Sequence, residues 1–136
     1  MKKRLVIIIV VVLLVAAAVT LYFTVFKKPA QKIHSFYKPG DYFVTNVKDS
    51  PALIKATIVL ELYVYEKDLE KVTEHLTENN HIIRDIIVFK LRSMTEEELR
   101  SQDVAETLRD EIVQSINTRM DIDYITSVYF NDYVIQ

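Results

Sequence analysis

The chain has 136 residues, with 17 Lys and Arg against 19 Asp and Glu, a single Gly and no Cys. One glycine excludes G-x-G-x-x-G, P-loop and G-x-S-x-G motifs by counting, and with them phosphate-cradling loops and nucleophile elbows. The lack of cysteine removes disulfides, thiol catalysis and thiolate metal sites.

Residues Leu5 to Phe26 are an uninterrupted run of 22 with no charge, Pro or Gly, preceded by Lys2, Lys3 and Arg4. At about 1.5 Å per residue, such a helix spans a hydrocarbon core of roughly 30 Å. The competing reading is a removed secretory signal cut after Ala16-Ala17-Ala18. Signal cores run roughly 7–15 residues, whereas this one continues through Val19 to Phe26, so an uncleaved anchor is expected. Thr20 and Thr24 can return their hydroxyls to carbonyls one turn back. Lys27, Lys28 and Lys32 balance the basic residues at the other end, so the positive-inside count is close to a tie and leaves the orientation open. The lysine pair beyond the helix can also attract lipid phosphates.

All 19 acidic residues lie after residue 28, which gives the portion from Pro29 onward 12 basic residues and a net charge of −7. That balance opposes nucleic-acid binding, which needs a basic face. Lys27 to Lys38 reads as a short basic linker, and Pro39-Gly40 as the start of a folded domain, 39–136. Tyr42 to Val47 is rich in strand formers. Leu53 to Tyr65 is the strongest strand, with Ile54, Ala56, Ile58, Leu60, Leu62 and Val64 alternating against more polar positions. The two suggest an antiparallel hairpin.

Asp68 is read as the cap of a helix carrying Leu69, Val72 and Leu76, interrupted at Asn79-Asn80. His81 to Arg92 fits strand by composition, but Ile83, Ile87, Leu91 and Met94 fall at helical intervals, and a largely buried helix is expected. Thr95-Glu96-Glu97-Glu98 is a capping box opening a short helix. Ser101-Gln102-Asp103 restarts a longer one with the stripe Val104, Leu108, Ile112, Ile116 and Met120. A last strand follows from about Tyr124 to Ile135. The order predicts an α+β domain with a small antiparallel sheet packed against helices.

Chemistry-bearing groups are sparse. His75 and His81 with Glu74 and Glu78 are the one cluster suggesting a metal, as in a metal-dependent hydrolase, but Asn79-Asn80 breaks their helix. Glu96 to Glu98 simply suit a helix N-terminus. Arg84-Asp85, inside an apolar segment, reads either as solvent-facing charges or as a contact with a neighbour. Tyr42, Tyr63, Tyr65, Tyr124, Tyr129 and Tyr133 fall in predicted strands, as half-buried sheet residues or as an interaction face. No catalytic, cofactor or metal residues, and no small-molecule substrate, are expected.

Taken in order, the short basic N-tail, the anchor helix, Tyr42-Phe43-Val44-Thr45-Asn46-Val47, the strand Ile54 to Tyr65, Ile83-Arg84-Asp85-Ile86-Ile87, LRSMTEEEL at Leu91 to Leu99, Leu108 to Ile112 and the closing Val128 to Gln136, with its FNDYVIQ ending, resemble the flagellar basal body-associated protein FliL family. The resemblance implies a cytoplasmic N-terminus (1–4), a transmembrane helix (5–26), a linker (27–38) and an extracytoplasmic, stomatin-like domain in the bacterial inner membrane. It implies a non-enzymatic accessory of the flagellar motor that supports torque and swarming. Its partners would be stator and rotor-base proteins, other copies in a ring, and membrane lipid. Lys27, Lys28, Lys32, Arg84, Asp85, Asp110, Tyr129 and Tyr133 are the candidate partner or self-assembly contacts. A generic single-pass envelope scaffold or secretion-machine subunit is the alternative.

Overall fold

A helix of 25 residues opens the chain, α1 (Lys2–Phe26), in a computed structural model that describes residues 2–26 and 30–136. Its stretch Lys3–Thr24, with mean hydropathy 3.2, is long and apolar enough to cross a membrane. Thr20 Oγ1 donates to the carbonyls of Ala16 and Ala17, and Thr24 Oγ1 to those of Thr20 and Leu21, at 2.9–3.2 Å. Both hydroxyls are thus satisfied within the helix, which makes them cheap in lipid. Residues Gln31–Gln136 form a second compact unit.

Strand β3 (Leu53–Tyr65) organises this unit because its pattern has a strict period of two. Ile54, Ala56, Ile58, Leu60, Leu62 and Val64 are all buried, while the residues between them face the other way. Along one edge β3 pairs antiparallel with two short strands, β1 (Lys32–Tyr37) at its C-terminal half and β2 (Phe43–Asn46) at its N-terminal half. Along the other edge it pairs with β4 (Ile125–Ile135) over nearly its whole length. Two register shifts, at Thr57/Ile58 and Glu61/Leu62, mark bulges on the β3–β4 ladder.

Strand β1 corrects the expectation of a linker over 27–38 and of a domain beginning at 39. Lys32 to Tyr37 pairs residue for residue with Tyr65 to Leu60, and the compact unit begins at Gln31. The physical reason is that β3 is 13 residues long and β2 satisfies only four positions of its edge. The remaining buried backbone needs a partner. Within β1, Ile33 and Tyr37 turn toward the covered face, and the Tyr37 hydroxyl donates to the Leu76 carbonyl at 3.2 Å. Lys27 and Lys28 lie outside the described residues.

Helices α2 (Leu69–Glu78), α3 (Asn80–Arg92), α4 (Glu96–Arg100) and α5 (Gln102–Met120) cover one face of the sheet. The ambiguous segment is helical: Ile83, Ile87 and Leu91 are fully buried, one turn apart. Leu108, Ile112 and Ile116 supply the matching stripe from α5. Asp68 does not cap α2 through its side chain. A 3-10 turn, Glu66–Asp68, leads into that helix instead. Helix α5 stops at Asp121, whose left-handed φ of 55° is one that Asp tolerates better than most residues. The unit is α+β, as the element order predicts, with one strand more.

The capping box at α4 is complete. Glu98 N donates to Thr95 Oγ1 at 3.3 Å, and Thr95 N donates to Glu98 Oε2 at 2.8 Å. The Thr95 backbone and hydroxyl bonds hold the Glu98 carboxyl below its ordinary value of 4.5. A depressed carboxyl stabilises the folded state above its unfolded pKa and loses that contribution as pH falls through the folded one. Thr95→Ala is expected to destabilise the domain by about 1 kcal/mol. It should also flatten the loss of stability below pH 4.5, and thermal melts at pH 7 and in acid check both effects.

Candidate interaction surfaces

With one face covered, the opposite face of the sheet is left to solvent. It carries Phe36 from β1, Tyr63 and Tyr65 from β3, and Tyr129 and Val134 from β4, all substantially exposed. Phe36 and Tyr129 meet edge to face across the central strand, with centroids 6.4 Å apart. Between them stands Glu61, whose carboxylate has both oxygens engaged. Oε1 lies 2.8 Å from His34 Nδ1, and Oε2 accepts from the Tyr129 hydroxyl at 2.8 Å. The cluster ties β1, β3 and β4 together on the open face, as cross-strand polar pairs do. With both oxygens engaged, the Glu61 carboxylate braces the three strands across this face. Sequence reading missed this cluster because its members are 27 and 68 positions apart. Only the β1–β3–β4 register brings them together.

The predicted contact residues do not form one surface. Lys32 sits on the open face, its Nζ 5.1 Å and 5.2 Å from the ring centroids of Tyr63 and Tyr65. Tyr129 shares that face, but Tyr133, opposite buried Ala56, points to the helices. The Tyr133 hydroxyl donates to the Leu99 carbonyl at 2.9 Å, and burial pushes its pKa up to about 12. Asp110 is exposed on α5. Asp85 is exposed on α3, at the rim of an open groove between α3 and α5 that also holds Ile82, Ile86, Phe89 and Arg119. Lys90 closes one wall by pairing with Glu111 at 2.8 Å.

Arg84 is half-buried and turned toward the Pro39-Gly40 turn. Its guanidinium stacks 4.5 Å from the Phe43 centroid, and Nη1 donates to the Pro39 carbonyl at 3.1 Å. Asn80 Nδ2 donates to the same carbonyl at 3.0 Å. Two donors from α3 therefore clamp the Pro39-Gly40 turn that joins β1 to β2. Gly40 leaves the space the clamp occupies, since a Cβ there would meet the Arg84 guanidinium and displace the end of that side chain. Gly40→Ala is expected to expel Arg84 and cost about 1–3 kcal/mol. Arg84→Met should cost a similar amount, and the double variant no more than the larger single. Additive losses in thermal melts would refute a shared clamp.

His75 bonds locally, its Nδ1 3.3 Å from Asn79 Nδ2. His81 lines the α3–α5 groove instead. Among the described residues, no group of three His, Asp or Glu is placed to hold a metal ion.

A helix able to cross a bilayer, followed by an α+β domain distinguished by its surfaces, fits a single-pass membrane protein. The family model described as flagellar basal body-associated protein FliL matches residues 36–136. "Flagellar protein FliL" of Aquifex aeolicus (strain VF5) is 31% identical over 100 residues, covering 74% of this chain and 60% of that protein. The match thus spans less than two thirds of the relative's length. The chain belongs to the FliL family of flagellar basal body-associated proteins.

Proposed function

We propose that the protein is a non-enzymatic, membrane-anchored accessory of the bacterial flagellar motor. Helix α1 remains uncleaved in the inner membrane with residues 1–4 in the cytoplasm, and the folded domain stands on the extracytoplasmic side. There it associates with the basal body and with stator units, supporting torque, rotation and swarming. Other copies of the chain, arranged in a ring by contacts that close by rotation, are further partners.

The observation that carries this reading is the family match over residues 36–136, most of the second unit, in a chain whose described residues also include an apolar helix long enough to cross a membrane. The surfaces agree with an activity exercised by contact. Polar groups are spent on bracing the sheet and clamping turns, while the open sheet face and the α3–α5 groove remain available to partners. Asp85 and Asp110, both exposed, are the charges suited to ring contacts, whereas Arg84 serves the fold.

In-cell photo-crosslinking from positions 27–32 tests the reading directly. Adducts with stator subunits are expected, together with reduced swarming when the gene is deleted. Full motility in the deletion strain would refute the role. Asp85→Lys and Asp110→Lys together are expected to shrink the oligomer without lowering the melting temperature, and an unchanged oligomer would remove these residues from the ring contact.

A further inference from the structure

Five residues, 27–31, join α1 to β1, and the six steps from Phe26 to Lys32 reach at most about 22 Å when fully extended. The headgroup layer beyond the hydrocarbon is itself about 5–7 Å deep. With α1 anchored as proposed, chain length alone limits how far Lys32 can stand from the point where the chain leaves the bilayer. The other residues at the same end of the sheet are set by pairing. Lys32 lies opposite Tyr65, and the Glu66 backbone N–H donates to the Gln31 carbonyl at 3.1 Å.

That end has an unusual makeup for a domain of net charge −7. Tyr63 and Tyr65 are 39% and 40% exposed. Lys32 Nζ lies over both rings, and Lys67 Nζ over Tyr65 at 5.8 Å. Tyrosine rings with lysine ammoniums beside them suit the headgroup layer, where one end of a side chain is apolar and the other meets phosphate. Stacking on the rings holds the ammoniums in place and leaves their N–H groups free to donate. Glu66 and Asp68, on either side of Lys67 in the 3-10 turn, oppose the attraction, and Lys27 and Lys28 in the tether add to it.

We propose that Lys32, Tyr63, Tyr65 and Lys67 form a docking patch for an anionic phospholipid bilayer, seating the domain end-on at the headgroups. The proposal rests on the reading of α1 as an uncleaved anchor. Electrostatics gives the patch a specific purpose. An acidic domain near an anionic surface is repelled over a Debye length of about 8 Å, and a basic patch at the tethered end offsets that repulsion there.

The chain has no cysteine, so a nitroxide can be placed singly. The full-length protein is reconstituted in 3:1 phosphatidylcholine:phosphatidylglycerol bilayers, labelled at Glu66→Cys or at Val134→Cys. Val134 pairs with Lys55, ten residues from Tyr65 along β3, or about 33 Å at ~3.3 Å per residue. Collision with an aqueous nickel chelate is expected to be suppressed at 66 and free at 134. Lys32→Gln with Lys67→Gln should lower the docked population about 30-fold, at about a tenfold factor per 1.4 kcal/mol and roughly 1 kcal/mol per lysine. Phosphatidylcholine alone should release the wild-type domain as well. Equal exposure at 66 and 134, or suppression at 66 unmoved by both the variant and the lipid change, would overturn the patch while leaving the anchor standing. Release of the protein from the bilayer by alkaline carbonate would overturn both.

Discussion

Val10→Arg combined with Leu13→Arg is expected to keep the protein out of the membrane, whereas Leu13→Arg alone is expected to leave it integral. The run Leu5 to Phe26 contains sixteen Leu, Ile, Val and Phe side chains. At about −0.3 to −0.6 kcal/mol each they favour insertion by at most roughly 5–10 kcal/mol, and one central Arg opposes that by about 2.5–3.5 kcal/mol. A single arginine therefore leaves a clear preference for the bilayer, while two bring the balance to about zero. Carbonate extraction of membranes reads the outcome, and a double variant that stays fully integral would refute this accounting. The wild-type protein recovered from the membrane should still yield peptides from residues 1–18 in mass mapping, since cleavage after Ala18 would remove them.

Leu60→Ala is expected to destabilise the folded domain by about 3 kcal/mol, within the ~2–5 kcal/mol found for such truncations. Leu60 is 0% exposed at the middle of the central strand, where β1, β3 and β4 run side by side. A cavity there cannot collapse without bending three strands. A domain of this size has only about 5–15 kcal/mol of stability, so a fall in melting temperature of about 12–24 °C follows. The neighbouring Phe36→Ala should change stability by less than about 0.5 kcal/mol, because Phe36 is 64% exposed on the open face. If Phe36→Ala weakens motility at unchanged melting temperature, the open face is a contact surface. If it leaves motility intact, Phe36 has no part in binding.

The central strand and the four helices were legible because each has enough residues to display a period. Thirteen alternating positions in β3 and three buried turns in α3 outweigh local composition. The capping box was legible residue by residue, since it is a local device. Strand β1 was not. Its six residues stand among lysines after a proline, with His34 and Phe36 toward solvent blurring the alternation of Ile33 and Tyr37. Its signal lay elsewhere, in the excess length of β3 over β2. Arg84 and Tyr133 looked like surface contacts because spacing marks a charge or a hydroxyl but not its direction. One is drawn to the Pro39 carbonyl and the other to that of Leu99, each a partner distant in sequence. The α3–α5 groove and the Glu61 brace likewise arise from pairing between remote segments, which no single-segment pattern records.

The ladder between β3 and β4 has a bearing on how the molecule comes into being. Leu62 lies opposite Ile125, and Ile54 opposite Ile135. While the helices are being synthesised, one side of the longest apolar strand has no neighbour. Contacts of that separation close slowly, after a large loop has been drawn together. An unpaired strand edge is meanwhile open to capture by another chain. The Gln136 amide, bonded to the Leu53 carbonyl at 2.9 Å, is among the last to find its place. Newly made copies held at high local density in one membrane are therefore most vulnerable to mispairing in the interval before β4 arrives.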